Sequence, residues 1–259
     1  KIAVIRLPRI SNFTDIAPLE AVDELDVSYV SNISQFGDPD VVIIPGSKNT
    51  ISDLLWMRQN GLEGKILRHA AKGGIVFGIC GGYQMLGQSI SDPTGAEQKG
   101  TVRGMGLLPV TTVFEQEKRR TRVSGRFAKV GGALAEMSGV CYEGYEIHMG
   151  RTVLSKGTVP LVYMEEEGEQ RQDGAQSDHV YGCYMHGIFD MSETVKTFLA
   201  AVLRKKGIDP SKITVRDRNA YKEEQYDRLA SIVRENLNME AVYKIIEKGN
   251  EASCSLLSE

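Results

Sequence analysis

The sequence predicts an α/β fold with an open, mostly parallel, doubly wound sheet and an antiparallel extension. Residues 1–90 alternate short apolar runs with helical spacing, which is typical of a parallel sheet with helices on its faces. Residues 101–153 change to β-branched stretches broken by glycine, which indicates antiparallel or mixed strands. The 259 residues are 41% hydrophobic, which is enough for a substantial core.

The individual elements follow from periodicity and from the residues that end each run. In the parallel part, the sequence predicts strands at 2–7, 27–30, 41–44 and 75–79, and helices at 50–59, 62–72 and 83–89. In the extension it predicts strands at 111–114, 121–130 and 140–147. Residues 165–178 are densely polar and predict an exposed loop or hairpin tip.

The C-terminal part predicts one more strand followed by helices. The strand covers residues 180–185, and helices are expected at 193–206, 219–236 and 239–248, with a frayed tail at 249–259. No internal repeat or linker is evident. We therefore expect a single domain over 1–259, with the helices from about residue 191 packed on it.

Charge and cysteine spacing exclude several classes of function. With 31 basic and 34 acidic residues, the net charge of -3 favours neither nucleic acid nor an anionic membrane as a partner. No signal peptide or membrane-spanning run is present, so we expect a cytoplasmic protein. The cysteines form no CxxC or Cys/His cluster, and no metal site is predicted; they are Cys80, Cys141, Cys183 and Cys254.

A glycine-rich turn places Cys80 between a strand and a helix. The segment 78–82 reads GICGG and follows the apolar run 75–77, which is the context of a nucleophile elbow. At a helix N-terminus, unpaired N–H groups and the helix dipole favour the thiolate form of cysteine. The sequence therefore predicts Cys80 as a catalytic nucleophile; the alternative is a buried cysteine packed beside a glycine turn.

A nucleophilic cysteine needs a partner that moves protons, and His186 is the best placed of the four histidines. It ends the strand 180–185, at the carboxyl edge where α/β sites gather. We therefore predict His186 as general base, with a structural histidine as the alternative. His69 and His179 are expected at the surface.

The loop 45–50, PGSKNT, follows a strand and leads into a helix. Its backbone N–H groups can face the same crevice as Cys80. The sequence thus predicts an oxyanion hole made by the N–H groups of Gly46 and Gly81. A capped helix start, with Ser47 or Asn49 as the cap, is a compatible interpretation.

Five segments together resemble one family. They are RLPRISNFTD at 6–15, PGSKNTISD at 45–53, GICGGYQMLG at 78–87, GYEIHMGRT at 144–152 and YGCYMHGIFD at 181–190. This chain resembles the C-terminal, class I glutamine amidotransferase domain of the cobyric acid synthases. The resemblance implies that Cys80 attacks the glutamine side-chain amide, that ammonia leaves a glutamyl thioester, and that His186 shuttles the protons.

One position departs from the wider class, in which a Glu often stands two residues after the histidine. This chain has Ile188 there. The resemblance then implies a Cys/His pair, and Asp190 or Glu146 could act as the third member only if folding brings it near His186.

Other residues near the motifs have weaker site predictions. Glu146 and His148 share a face if their segment is extended, and face either the site or a strand edge. Tyr83 and Gln84 are expected to hold glutamine or to pack the helix. Arg122, Arg126 and Arg151 could meet a polycarboxylate, but mixed-charge surface strands are the favoured explanation.

The resemblance also implies a reaction that this chain does not complete. The family uses ATP and Mg²⁺ to amidate the b, d, e and g carboxylates of adenosylcobyrinate a,c-diamide with ammonia from glutamine. No GxxxxGK[ST] phosphate loop occurs here. Lys1 stands where translation begins with Met, so we expect an ATP-dependent synthetase domain, with its corrinoid substrate, N-terminal to this chain.

Two further functions stay open at this point. A related ammonia-supplying subunit could amidate another acid, such as a cell-wall lipid II intermediate. An amidotransferase-like domain without catalysis could bind a partner.

Overall fold

The computed structural model describes residues 1–166, 169–215 and 218–255. They divide into two compact units, the first spanning Lys1–Val215 and the second beginning at Arg216. The described residues of the second unit include two helices, which begin within one residue of the places that the sequence predicts. The second helix continues to Ser255, so the expectation of a frayed tail from residue 249 is wrong as far as 255, and residues 256–259 lie outside the described residues.

The strands are short in the N-terminal half and long in the centre of the chain. They are β1 Ile2–Ile5, β2 Ile10–Ser11, β3 Val27–Val30, β4 Val41–Ile44, β5 Gly46–Ser47, β6 Ile75–Ile79, β7 Ser89–Asp92, β8 Gly100–Arg103, β9 Val110–Phe127, β10 Cys141–Leu154, β11 Val162–Glu166, β12 Glu169–Asp173, β13 Ala175–Ser177 and β14 Val180–Cys183.

The helices are α1 Ala17–Glu20, α2 Thr50–Gln59, α3 Leu62–Ala71, α4 Gly81–Leu86, α5 Ser192–Lys205, α6 Arg218–Asn236 and α7 Met239–Ser255. Short 3-10 turns lie at Phe13–Asp15, Gly132–Met137 and Pro210–Lys212. Within the described residues, no helix combines the length and the apolar character needed to cross a bilayer.

The main sheet has the order β13-β14-β6-β4-β1-β3. Its first strand is antiparallel and the other pairings are parallel. Strands β1, β4, β6 and β14 are buried along their whole length, as expected where helices cover both faces of a parallel sheet. The predicted α/β class is confirmed.

The antiparallel strands form a second sheet rather than a continuation of the first. Its order is β12-β11-β9-β7-β8, and β10 pairs with β9. The predicted strands 111–114 and 121–130 are parts of one strand, β9, which pairs with β10 on both sides of an irregularity between His148 and Gly150. A single bridge between Tyr145 and His186 links β10 to the end of β14.

A short strand pairing and a helix cap hold the loop PGSKNT in place. Strand β2 pairs with β5, so residues 10–11 lie on the loop PGSKNT. The side chain of Asn49 accepts a hydrogen bond from the Ser52 N–H at 2.9 Å and caps α2. The capped helix start that the sequence offered for this loop is therefore present.

A buried carboxylate organises the turn that follows β7. Both oxygens of Asp92 accept backbone N–H groups at 2.7–2.8 Å, from Gly95, Ala96, Glu97 and Gln98. Burial alone would raise the pKa of Asp92, but these bonds favour the carboxylate and lower it.

We expect Asp92→Ala to lower the free energy of unfolding by about 1–3 kcal/mol, because it removes the one acceptor of four backbone N–H groups. The exposed Glu143→Gln is the control. A lowered folded pKa stabilises the protein above the unfolded value, and this stabilisation is lost as pH falls through the folded value. The difference from wild type in denaturant unfolding should therefore shrink in acid. A constant difference would contradict this role.

Candidate active site

The predicted nucleophile occupies a strained turn between β6 and α4. Cys80 has φ 52° and ψ −107°, a conformation that side chains rarely adopt. Its N–H donates to the Cys183 carbonyl at 2.8 Å, and its carbonyl accepts from the Gln84 N–H at 3.1 Å. The turn is therefore anchored to β14 on one side and to α4 on the other.

The glycines of this turn are required by close backbone approach. A Cβ on Gly82 would lie 1.9 Å from the carbonyl oxygen of Ile44, and a Cβ on Gly78 would lie 2.7 Å from the Tyr83 nitrogen. Both distances are far below van der Waals contact. Helix α4 can therefore start directly over β4 only because these side chains are absent.

His186 lies fully buried just beyond the end of β14. Its backbone exchanges two hydrogen bonds with Tyr145, at 2.9 and 3.1 Å, which fix the ring beside β10. The imidazole stacks on the Tyr145 ring, with centroids 5.2 Å apart and an interplanar angle of 26°. The structure thus holds this ring from its backbone and from one face.

A carboxylate from the N-terminal segment contacts the imidazole. Asp15 Oδ2 lies 2.7 Å from His186 Nδ1, and Oδ1 accepts the Gly187 N–H at 2.8 Å. Only 2% of Asp15 is exposed. Because Asp15 takes Nδ1, the other ring nitrogen, Nε2, is the one available for proton exchange with a thiol.

Neither of the two carboxylates considered from the sequence makes this contact. Glu146 points into a different cluster, and Asp190 lies in the turn after the histidine, where its N–H donates to the Gly187 carbonyl at 2.8 Å. The contact of Asp15 was not predicted from the sequence, although Asp15 ends the segment RLPRISNFTD. A lone Asp 171 positions away carries no local signal for pairing with a histidine.

The surroundings of His186 favour the charged imidazolium. Burial lowers the pKa of His186, but the hydrogen bond to Asp15 and contact with Cys80 outweigh burial and raise that pKa to about 10. This is the electrostatic setting in which a thiol can transfer its proton to an imidazole.

Two glycines predicted to form an oxyanion hole border the same space. Gly46 lies in β5, and a Cβ there would be 3.1 Å from His186 Cε1. A Cβ on Gly81 would be 2.9 Å from the Ser47 nitrogen. The structure therefore brings both glycines beside the Cys80 turn. Their action on a substrate oxygen stays a prediction.

The loop that carries Gly46 is tied to the N-terminal segment by a buried carboxylate. Asp53 Oδ2 accepts from the Ser47 hydroxyl at 2.7 Å and from the Arg9 N–H at 3.1 Å. The side chain of Asp53 is fully buried. Two of the family-like segments thus form one rigid wall of the site.

Tyr83 and Gln84 are buried behind the turn, with 0% and 2% of their surface exposed. The Gln84 amide accepts from the Thr50 hydroxyl at 3.0 Å and donates to the Tyr184 hydroxyl at 3.1 Å. This geometry favours a packing role for both residues. Contact of either with glutamine stays a prediction.

Glu146 and His148 share one face of β10, as their spacing indicates, and they contact each other there. Glu146 is fully buried, and its Oε2 accepts from Arg119 at 3.0 Å and from Arg171 at 2.5 Å. Burial would raise the pKa of Glu146, but His148 and the two arginines lower it. His148 stacks on Tyr184 with centroids 3.7 Å apart. Substrate binding by either residue stays a prediction.

The remaining sequence candidates lie outside this space. Arg122, Arg126 and Arg151 are exposed on β9 and β10. His179 is partly buried next to Gly73, and His69 is partly buried, with Nε2 3.1 Å from the Ile75 carbonyl, so the expected solvated surface position of both is wrong. No group of three potential metal ligands occurs within the described residues.

Comparison with known proteins identifies the family of this chain. A family model of CobB/CobQ-like glutamine amidotransferase domains matches residues 1–194. The chain belongs to this family.

Curated members of the family resemble nearly the whole chain. The cobyric acid synthase of Ruminiclostridium cellulolyticum is 52% identical over 254 residues, covering 96% of this chain and 49% of that protein. That of Lachnoclostridium phytofermentans is 44% identical over 258 residues, covering 96% and 50%. The resemblance predicted from the motifs is confirmed, and the chain spans about half the length of these curated relatives.

Solved structures show the same fold at low identity. PurLQS from Thermotoga maritima matches with a TM-score of 0.58 and 17% identity, over 79% of this chain and 98% of the matched chain. A crystal structure of a glutamine amidotransferase matches with a TM-score of 0.57 and 16% identity, over 78% of this chain and 98% of the matched chain. The family's α/β fold is thus shared with amidotransferases of other kinds.

We expect Gly82→Ala to lower the free energy of unfolding by more than about 2 kcal/mol, because its Cβ overlaps the Ile44 carbonyl. Gly64→Ala is the matched control, since a Cβ there meets only Arg68 Nη1, at 3.9 Å, within a helix. That change should stabilise α3 by about 0.5–1 kcal/mol. Chemical denaturation measures both. Equal effects would contradict the packing described for the turn.

Proposed function

We propose that the first unit hydrolyses glutamine to glutamate and ammonia, with Cys80 as nucleophile, His186 as proton carrier and Asp15 as the residue that orients the imidazole. The observation that carries this proposal is the line of contacts from Asp15 through His186 to the Cys80 turn, beside two glycine amides. Family membership supports the same activity.

The reaction follows from the roles that these groups can take. The Cys80 S–H proton moves to His186 Nε2, and the sulfur attacks the carbonyl carbon of the glutamine side chain. As the tetrahedral intermediate collapses, the imidazolium returns this proton to the leaving nitrogen, and the C–N bond breaks to release ammonia. Water then gives a proton to His186 while its oxygen attacks the thioester carbon. The C–S bond breaks, the imidazolium returns the proton to the Cys80 sulfur, and glutamate is released.

The N–H groups of Gly46 and Gly81 are proposed to bind the oxygen on which negative charge develops. Such donors cost no reorganisation during the reaction, because the backbone already holds them in place. Asp53 and the β2–β5 ladder hold the first donor, and the start of α4 holds the second. Asp15 fixes the tautomer with Nδ1 protonated, as orienting carboxylates do in hydrolytic triads.

We further propose that the ammonia serves an amide-forming reaction in a part of the protein that this chain does not contain. The matched relatives are named cobyric acid synthases and are about twice as long. Their name supports adenosylcobyrinate a,c-diamide as the acceptor, amidated at b, d, e and g. ATP and Mg²⁺ would bind in that other part, and the site would work in the cytoplasm.

Two alternatives are separable by experiment. An ammonia source for another acid, such as a lipid II intermediate, would keep Cys80 and His186 and would differ only in the acceptor that receives ammonia. A domain that only binds a partner would not react with glutamine at all. The resemblance of this chain to cobyric acid synthases along 96% of its length favours the corrinoid acceptor.

We expect Cys80→Ser to abolish glutamine hydrolysis, measured as glutamate release, while far-ultraviolet circular dichroism stays unchanged. Oxygen is a much weaker nucleophile than thiolate sulfur in this setting. Cys141→Ser is the matched control, because Cys141 is exposed on β10 and should not matter. Undiminished glutamine hydrolysis by Cys80→Ser would contradict the proposal. If a thiol-reactive glutamine analogue failed to label wild-type Cys80, a domain that only binds a partner would be favoured.

We expect Asp15→Asn to reduce kcat by about 10²-fold or more with a smaller effect on KM, because the amide does not hold the reactive imidazole tautomer. Steady-state glutamate release measures both constants. Asp190→Asn provides the comparison, since Asp190 was the nearest candidate in sequence. If Asp190→Asn were as damaging as Asp15→Asn, or Asp15→Asn were harmless, the orienting role of Asp15 would be contradicted.

A further inference from the structure

The reactive nitrogen of His186 already has a hydrogen-bond partner. Asn12 Nδ2 lies 3.0 Å from His186 Nε2. Asn12 comes from the same short segment as Asp15, so one turn of backbone contacts both nitrogens of the imidazole. The proposed reaction needs Nε2 to accept the proton of Cys80, but the contact with Asn12 already occupies that nitrogen.

The Asn12 amide is held with its NH2 group toward the ring. The Tyr145 hydroxyl donates to Asn12 Oδ1 at 3.2 Å, which leaves the nitrogen end facing His186. Asp15 accepts from Nδ1, so the neutral ring offers a lone pair at Nε2, and the amide N–H donates to it. With the Asn12 amide in this orientation, the three contacts match a neutral His186, whose Nε2 lone pair accepts the amide N–H.

The thiol is also placed in its neutral form. Cys80 Sγ contacts the Ile147 carbonyl oxygen at 3.7 Å, and a carbonyl can only accept, so this contact requires the S–H form. An sp² ring nitrogen makes one strong in-plane hydrogen bond. Asn12 and Cys80 therefore compete for Nε2.

Proton transfer reverses the polarity at Nε2. Once Nε2 carries a proton it is a donor, and the NH2 group of Asn12 would then face another donor. The amide must turn or withdraw before the thiolate and imidazolium can form. Asp15 and Cys80 favour the imidazolium, so the ion pair is accessible as soon as the amide leaves.

We propose that Asn12 is a positioning residue that holds the Cys80–His186 pair in its neutral resting form, and that activation requires the Asn12 amide to leave Nε2. This inference rests on the proposed function, because it concerns the same pair. The segment that supplies the orienting carboxylate of Asp15 then also keeps the pair inactive in its resting form. Displacement of that one segment would change both contacts of the imidazole.

The backbone at Asn12 makes a clean substitution available. Asn12 has φ 51°, in the left-handed region that glycine adopts without strain. Asn12→Gly therefore removes the amide side chain while the turn keeps its backbone conformation. Asp178→Gly is the matched control, because Asp178 has φ 50° and is exposed in the turn before β14.

The measurement is the rate of alkylation of Cys80 by iodoacetamide as a function of pH, read on the Cys80 peptide by mass spectrometry because the chain has four cysteines. Asp15, Tyr145 and Tyr184 are the other titratable groups that face the pair. Burial raises the pKa of both tyrosines, so they stay neutral near pH 7. The profile there reports the Cys80–His186 pair.

We expect Asn12→Gly to move the midpoint of this profile to lower pH by about one unit, which is about tenfold faster labelling on its acid side. Tyr145→Phe keeps the stacked ring but removes the hydroxyl that orients the amide, and should give a smaller shift in the same direction. His186→Ala should cancel the effect of Asn12→Gly. Asp178→Gly should leave the profile unchanged.

The outcomes separate this inference from the proposed function. An unchanged profile, or a shift to higher pH, in a folded Asn12→Gly protein that still hydrolyses glutamine would overturn the role of Asn12 alone. The expected shift in a protein that never hydrolyses glutamine would overturn the proposed function alone. Glutaminase kcat should rise in Asn12→Gly with KM little changed. A fall in kcat would contradict the inhibitory role of Asn12.

Discussion

The buried carboxylate of Asp15 makes two hydrogen bonds on which the geometry of the site depends. One oxygen contacts the His186 ring and the other accepts the N–H of the next residue, so the side chain and the backbone of the strand end are fixed together. A charged group is stable in the interior only when such partners surround it. This one side chain therefore joins the N-terminal segment to the imidazole and to the backbone that follows it.

The N-terminal segment owes its position to a second buried carboxylate. Asp53 binds Ser47 and the backbone of Arg9, and the β2–β5 ladder continues this contact toward Asn12. The loop PGSKNT, the segment that contacts the histidine, and α2 are therefore one connected structure. A shift at any of these places would be transmitted to His186 through hydrogen bonds rather than through loose packing.

Strand β10 contributes both to the site and to a buried charge cluster. Tyr145 stacks on the imidazole, and the Ile147 carbonyl contacts the Cys80 thiol. Glu146 binds Arg119 and Arg171, which compensate its buried charge, and His148 stacks on Tyr184. One strand therefore connects the site to the charged groups of the second sheet.

The sequence by itself determined the α/β class, the turn around Cys80, and His186 at a strand end, because these depend on local periodicity and on glycine spacing. Family membership also followed from short motifs. Only the tertiary structure decided that Asp15 and Asn12 take the two imidazole nitrogens, and that Glu146 binds Arg119 and Arg171. The two contacts of the imidazole join residues more than 100 positions apart in the chain, through strand pairing and burial that no local pattern encodes.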